Sequence, residues 1–284
     1  MSPIGIFDSG YGGLTVLREI RQLMPEYDYL YLGDNARAPY GPRSFELVYE
    51  FTLEAVRRLF DMGCPLIILA CNTASAKALR TIQQRDLPHL YPPLSSASAN
   101  SPALPSRRVL GVIRPTVEAV GTLTHTRHIG IVATQGTIAS RTYELEMAKL
   151  HPDIVVTGQA CPMWVPLVEN HEFDQPGADY FIRRDIETLL RRDPQIDAII
   201  LGCTHFPLLY NKIRAHTPAA VRLISQGEYV ACSLRDYLHR HADLEARITC
   251  GGTARFLTTD APAPFSAAAT IFLGQEVTAE HISV

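Results

Sequence analysis

Short apolar runs alternate along this chain with amphipathic stretches, and that alternation leaves few folds open. The runs at 4–7, 29–32, 66–70, 109–113, 129–133, 154–157, 198–201 and 221–224 have the length of strands. Several are aliphatic throughout, as expected of strands covered on both faces. Helical periodicity occupies 14–24, 43–62, 74–84, 139–150, 179–192 and 228–239. In 43–62, Leu47, Phe51, Leu59 and Phe60 fall on one side, and Gly63 supplies the stop. Strands and helices in this order predict an α/β fold, a mostly parallel sheet clothed by helices.

Two of the runs look like copies of each other. Leu66-Ile67-Ile68-Leu69-Ala70-Cys71-Asn72-Thr73 and Ile199-Ile200-Leu201-Gly202-Cys203-Thr204-His205 each carry apolar residues into a small residue, a cysteine and a polar residue. Each cysteine therefore stands where a strand gives way to a loop, the edge at which open α/β sheets bind ligands. Ile4-Gly5-Ile6-Phe7-Asp8-Ser9-Gly10 resembles Ile129-Gly130-Ile131-Val132-Ala133-Thr134-Gln135-Gly136 at a similar separation. Two similar lobes, each supplying one cysteine, would explain both pairs. Repetition of strand–helix units without duplication would also do so.

Two thiols facing one small molecule suit a particular reaction. A thiol ionises near ~8.5, and a following helix N-terminus lowers that value by favouring negative charge. Asn72-Thr73-Ala74-Ser75 and Thr204-His205-Phe206 place capping residues and donors directly after each cysteine. If one sulfur removes a proton from an α-carbon, the carbanion flattens, and the other sulfur can return a proton from the opposite face. That is two-base racemisation. Asp8, at the end of the first run, either assists such a group or serves as a turn aspartate before Gly10. His205, two residues after Cys203, can stabilise a thiolate or relay a proton.

Composition narrows the field. A net charge of −3 and 19% charged residues give no basic surface for nucleic acid or acidic lipid. The first residues carry no basic leader, no apolar run reaches the ~20 residues of a membrane span, and the expected location is cytoplasmic. None of the six cysteines forms Cys-x-x-Cys, so neither a zinc ribbon nor a thioredoxin-type site is expected. Cys64, Cys232 and Cys250 read as small apolar residues. Cys161 stays open, because it precedes a segment containing Glu169. Between the halves, Pro88, Pro92, Pro93, Pro102 and Pro105 flank the serine-rich Ser95–Ser101, read as an exposed, mobile linker without chemistry.

The residues become specific in combination. Phe7-Asp8-Ser9-Gly10-Tyr11-Gly12-Gly13-Leu14-Thr15-Val16 resembles the opening motif of glutamate racemases, in the cofactor-independent aspartate/glutamate racemase family. Asp34-Asn35-Ala36-Arg37-Ala38-Pro39-Tyr40-Gly41 is similar to their second signature. Ala70-Cys71-Asn72-Thr73-Ala74 and Leu201-Gly202-Cys203-Thr204-His205-Phe206-Pro207 resemble their two cysteine motifs, and Cys161-Pro162-Met163-Trp164-Val165-Pro166-Leu167-Val168-Glu169 their glutamate segment. All occur in the family's order across residues 4–207.

The resemblance implies two pseudo-symmetric α/β lobes, 1–95 with 208–284 and 96–207, around a central cleft. It implies interconversion of L- and D-glutamate to supply D-glutamate for peptidoglycan, with no cofactor and no metal. Cys71 and Cys203 would be the two bases, Asp8 assisting the first, Glu169 and His205 the second. Asp8, Ser9, Tyr40, Gly41, Asn72, Thr73, Thr116, Thr204 and His205 would hold the substrate. These are mainly neutral donors, which bind two carboxylates without over-stabilising the ground state. The expected partner is glutamate in a homodimer, with neither nucleic acid nor membrane. Ser225-Gln226 departs from the family's usual Asp-Ser, and activation through an N-terminal extension is not supported. Aspartate racemase, a related two-cysteine racemase, a non-catalytic amino-acid-binding protein and a thiol-redox protein are the alternatives.

Overall fold

In chain order the strands are β1 (Ile4–Asp8), β2 (Tyr29–Gly33), β3 (Leu66–Leu69), β4 (Arg108–Gly111), β5 (His128–Ala133), β6 (Val155–Ala160), β7 (Ala198–Gly202), β8 (Arg222–Ile224), β9 (Ala254–Thr258) and β10 (Ala279–His281). They come from a computed structural model that describes residues 2–91 and 107–284. The serine-rich stretch and Pro92, Pro93, Pro102 and Pro105 lie outside the described residues. One sheet has the order β10-β9-β2-β1-β3-β4 and the other β6-β5-β7-β8, with every pairing parallel.

The duplication left open by the sequence is visible in the topology. Four strands of the first sheet run β2-β1-β3-β4, and the second sheet repeats that order as β6-β5-β7-β8. β3 and β7, the two strands that lead into cysteines, are thus equivalent strands of two lobes. β9 and β10 extend the first sheet beyond β2. Their sequences, with Arg255, Glu280 and His281, lack an aliphatic run, which is why periodicity alone does not mark them.

Two strands lie on the other sheet from the one the expected boundaries implied. β4 pairs with β3, so the chain leaves the first sheet after Gly111 rather than near residue 96. β8 pairs with β7, so the second sheet continues past residue 207 to Ile224. In both places a short run completes the sheet it follows after a connection that contains helical segments, and the linker composition carries no information about that pairing. The predicted strand 109–113 also ends early. Helix Ile113–Val120 starts there, with Pro115 in its first turn where a missing N–H costs nothing.

Strand alternation divides the core of the first lobe. Ile4, Ile6, Leu66 and Ile68 face helix Leu14–Leu23, while Phe7, Leu30, Leu32 and Leu69 face helix Phe45–Asp61. That second helix is capped by Ser44, whose Oγ accepts from Leu47 N at 3.2 Å, and Gly63 follows it at φ +93°. It buries Val48, Thr52, Ala55, Val56, Leu59 and Phe60, so the buried stripe runs one position round from Leu47, which is exposed. The first face continues into Val132, Leu201, Cys203 and Phe206, giving the lobes a shared core. Helix Gly227–Arg240, reached from β8, packs on helix Leu14–Leu23 and closes the back of the joint. Among the described residues no helix is long and apolar enough to cross a membrane.

Candidate active site

The carboxyl ends of β1, β3, β5 and β7 converge on a cleft of about 150 Å³ between the lobes. Ser9, Tyr40, Gly41, Cys71, Asn72 and Thr73 line it from the first lobe, and Thr134, Cys161, Glu169, Cys203, Thr204 and His205 from the second. Cys71 and Cys203 are 5% and 6% exposed, and both line this cleft.

Cys71 leaves β3 in an extended conformation and caps the short helix Asn72–Lys77, its Sγ accepting from Ala74 N at 3.4 Å. The thiol donates to Ser9 Oγ at 3.5 Å. The expected lowering of its pKa does not occur. Burial pushes the thiol up to about 12, the negative charge of Asp8 adds to the rise, and the Ala74 N–H and Ser9 only partly oppose them. A six-residue helix exerts too weak a field to overcome loss of water around the sulfur. The resting Cys71 therefore keeps its proton.

Cys203 has different company. His205 Nδ1 lies 3.9 Å from its sulfur, and His205 Nε2 lies 3.1 Å from Glu169 Oε1. Burial works against a charged ring here, but the hydrogen bonds to Cys203 and Glu169 outweigh it and push His205 up to about 10. The ring is an imidazolium at neutral pH, with one proton directed towards each neighbour. After Cys203 the chain turns through a single 3-10 segment, Phe206–Leu209, so the two cysteine motifs fold differently beyond the sulfur.

Asp8 is fully buried behind Ser9 and does not line the cleft. Its Oδ2 accepts from Gly10 N at 2.9 Å, and Oδ1 has no hydrogen-bond partner among the described residues. Burial raises its pKa, while the charge of His205 and the N–H groups of Gly10 and Gly13 pull the other way. Gly12 and Gly13 make this approach possible. A Cβ on Gly13 would stand 2.6 Å from Asp8 Cβ, and one on Gly12 would stand 2.3 Å from Thr204 Oγ1 and 2.5 Å from His205 Nδ1. Thr15 Oγ1 donates to Thr204 O at 2.9 Å across the same joint.

The remaining expected residues divide. Thr73 Oγ1 meets Thr134 Oγ1 at 2.9 Å, a hydroxyl pair spanning the cleft. Tyr40 reaches the wall with its ring buried and its hydroxyl bound to Asp34, which also accepts from Arg37 Nε at 2.7 Å and Thr259 Oγ1 at 2.8 Å. Gly41 O accepts from Gly136 N at 3.0 Å, tying this loop to the second lobe. Thr116 is not brought to the cleft. It is fully buried, and its hydroxyl donates to Val112 O at 2.9 Å. The side chain of Asn72 turns away too, towards Gln226 and Tyr143. Cys161 does line the cleft, where burial and the neighbouring Asp185 carboxyl hold it as a neutral thiol.

Sequence reading does not single out Asp34 as a support for Tyr40, nor Thr134. A signal for Thr134 exists: in the matched segments Ile4–Gly10 and Ile129–Gly136 it occupies the place of Ser9. Arg37 and Tyr40 lie three and six residues after Asp34 in the same motif, but their convergence with Thr259 on its carboxylate emerges only in the fold.

Comparison with known proteins agrees with this arrangement. Residues 12–231 match the Asp/Glu/hydantoin racemase family. A protein from Ruegeria sp. (strain TM1040) named glutamate racemase is 39% identical over 287 residues, covering 98% of each chain. The crystal structure of a glutamate racemase isoform from Bacillus anthracis superposes with a TM-score of 0.85 at 33% identity, covering 100% of this chain and 98% of that one. A glutamate racemase from Francisella tularensis, solved in complex with D-glutamate, gives 0.81 at 30% identity over 100% and 97%.

Proposed function

The chain belongs to the Asp/Glu/hydantoin racemase family, and from that premise we propose that it is an isomerase interconverting L- and D-glutamate without a cofactor. The observation that carries the reading is the placement of Cys71 and Cys203 at the ends of equivalent strands, on opposite lobes of one cleft. An enantiomer whose Cα–H faces Cys203 gives its proton to that sulfur, beside the charged His205. The flattened carbanion then takes the Cys71 proton on its other face, leaving Cys71 as thiolate and the centre inverted. The opposite enantiomer needs the reverse charge state: Cys71 gives its proton to Asp8, His205 protonates Cys203, the Cys71 thiolate takes the Cα proton, and the Cys203 thiol returns one to the other face. Glu169 orients His205 for that exchange and stabilises its charged form.

Ser9, Gly41, Thr73 and Thr204 hold the substrate carboxylates and ammonium, with the main chain of Tyr40 and Asn72. Apart from His205 the wall holds no cation among the described residues, so binding relies on neutral donors, which suits catalysis that favours the carbanion over the bound amino acid. The product D-glutamate is the form consumed in peptidoglycan assembly. The reading includes a cytoplasmic homodimer with no nucleic-acid or membrane partner, and light scattering of the purified protein tests the dimer.

The decisive experiment incubates the purified protein, free of added cofactor, with L-glutamate in heavy water. Loss of circular dichroism and deuterium at Cα are expected. Inversion and exchange both absent would refute the reading, and faster turnover of aspartate would redirect it to the related aspartate enzymes. Cys71→Ala and Cys203→Ala should each abolish inversion, because either sulfur alone leaves one face without a proton donor.

A further inference from the structure

The side chain of Asn72 is held in a closed ring of hydrogen bonds from three segments. Its Nδ2 donates to Gln226 Oε1 at 2.7 Å, Gln226 Nε2 donates to Tyr143 Oη at 2.8 Å, and Tyr143 Oη donates back to Asn72 Oδ1 at 2.8 Å. Gln226 Nε2 also donates to Thr116 Oγ1 at 3.0 Å, while Val112 O lies 3.4 Å away. That carbonyl fixes the sense of the ring, since an amide oxygen in the place of Nε2 would face another acceptor. Asn72 and Gln226 are buried and Tyr143 is 2% exposed, so no water competes for these groups.

We propose that Gln226 and Tyr143 are positioning residues that clamp Asn72, and through it Cys71, to the second lobe. Asn72 follows Cys71 directly and opens the helix that Cys71 caps. Tyr143 lies on helix Thr142–Leu150, and Gln226 directly after β8, both in the second lobe, whereas Asn72 follows β3 of the first. The ring therefore crosses the joint beside one base and not the other. Cys203 has its own anchor in His205 and Glu169. The ring also takes up the polar atoms of the Asn72 amide, so this residue serves the substrate through its main chain. Gln226 is one of the two positions at which the sequence departs from the motif it otherwise resembles, and the clamp gives that glutamine a function. A serine there is too short to reach both Asn72 and Tyr143.

The inference rests on the racemase reading, and its test separates the two. Tyr143→Phe keeps the ring volume and removes the proton on Asn72 Oδ1. We expect kcat/KM to fall about tenfold, equally in both directions because the overall equilibrium is fixed, as one unsatisfied buried acceptor would produce. The distinguishing readout is the isotope effect with α-deuterated glutamate. Transfer at Cys71 becomes more limiting, so the effect should rise in the direction where Cys71 removes the proton and fall in the other. An unchanged isotope effect in both directions, or unchanged activity, overturns the clamp. Gln226→Met provides the same readouts should Tyr143→Phe fold poorly. Independently of turnover, peptide-mapped alkylation should speed up at Cys71 relative to Cys203 in Tyr143→Phe. An unchanged ratio overturns the inference even if the wild-type protein does not racemise glutamate, an outcome that would separately sink the proposed activity.

Discussion

Gly12→Ala tests whether the two lobes are held by contact at the catalytic loops. The added methyl would lie 2.3 Å from Thr204 Oγ1 and 2.5 Å from His205 Nδ1, where ordinary contact begins near 3.4 Å. Relief needs a displacement of about 1 Å. Rotation of Thr204 relieves only one contact, because His205 is fixed by Glu169 on one side and by an edge-on contact with Phe272 on the other, and the Thr204 main chain is held by Thr15 Oγ1. Overpacking of this kind costs ~1–3 kcal/mol. At roughly 2–4 °C per kcal/mol for a chain of this size, melting should fall by several degrees. Catalysis should suffer more, because a reacting group misplaced by ~1 Å can cost about 10²-fold in rate. The assay is kcat/KM in both directions beside a calorimetric melt. Gly177→Ala is the control: nothing lies within 4 Å of its added Cβ, and it sits in a helix, so it should be neutral or slightly stabilising. A Gly12→Ala protein within twofold of wild-type activity would refute the contact as the element that sets the distance between the bases.

Two further substitutions probe the chemistry of the supports. Glu169→Gln replaces a charge-assisted hydrogen bond to His205 with a neutral one, a loss of ~1.4 kcal/mol or about one pH unit. His205, pushed up to about 10, should give kcat/KM an alkaline limb that moves down by that amount in Glu169→Gln, and an unmoved limb would separate Glu169 from His205. The same histidine links stability to pH. Its folded constant, about 10, stands above the ordinary 6.5, so its contribution is complete below pH 6.5 and is lost as pH rises to about 10; denaturant melts across that window should show the decline. Tyr40→Phe removes a donor to Asp34 while leaving Arg37 and Thr259 in place, so KM should rise less than tenfold with a stability loss of ~1 kcal/mol; abolished activity would show that the hydroxyl serves the substrate directly.

The sequence by itself determined the class of fold and the two sulfurs. Unbroken aliphatic runs such as Leu66–Leu69, alternating with amphipathic helices, fit a parallel sheet covered on both faces, and such a sheet presents the residue after each strand at one edge. Cys71, Cys203 and Ser9 are legible for that reason, and Thr134 is legible through its match to Ser9. The tertiary structure alone decided everything that depends on residues distant in the chain. β9 and β10 join the first sheet from its far edge without an apolar signature of their own. Thr116 and the Asn72 amide turn inward because Gln226 and Tyr143, remote in sequence, satisfy them there. The acid–base state of the site belongs to the same category. Similar-looking motifs end in a sulfur that burial and Asp8 keep protonated, and in another set beside an imidazolium stabilised by Glu169. A local motif specifies which atom is present, whereas desolvation and charge, which set its proton affinity, are sums over neighbours that only folding assembles.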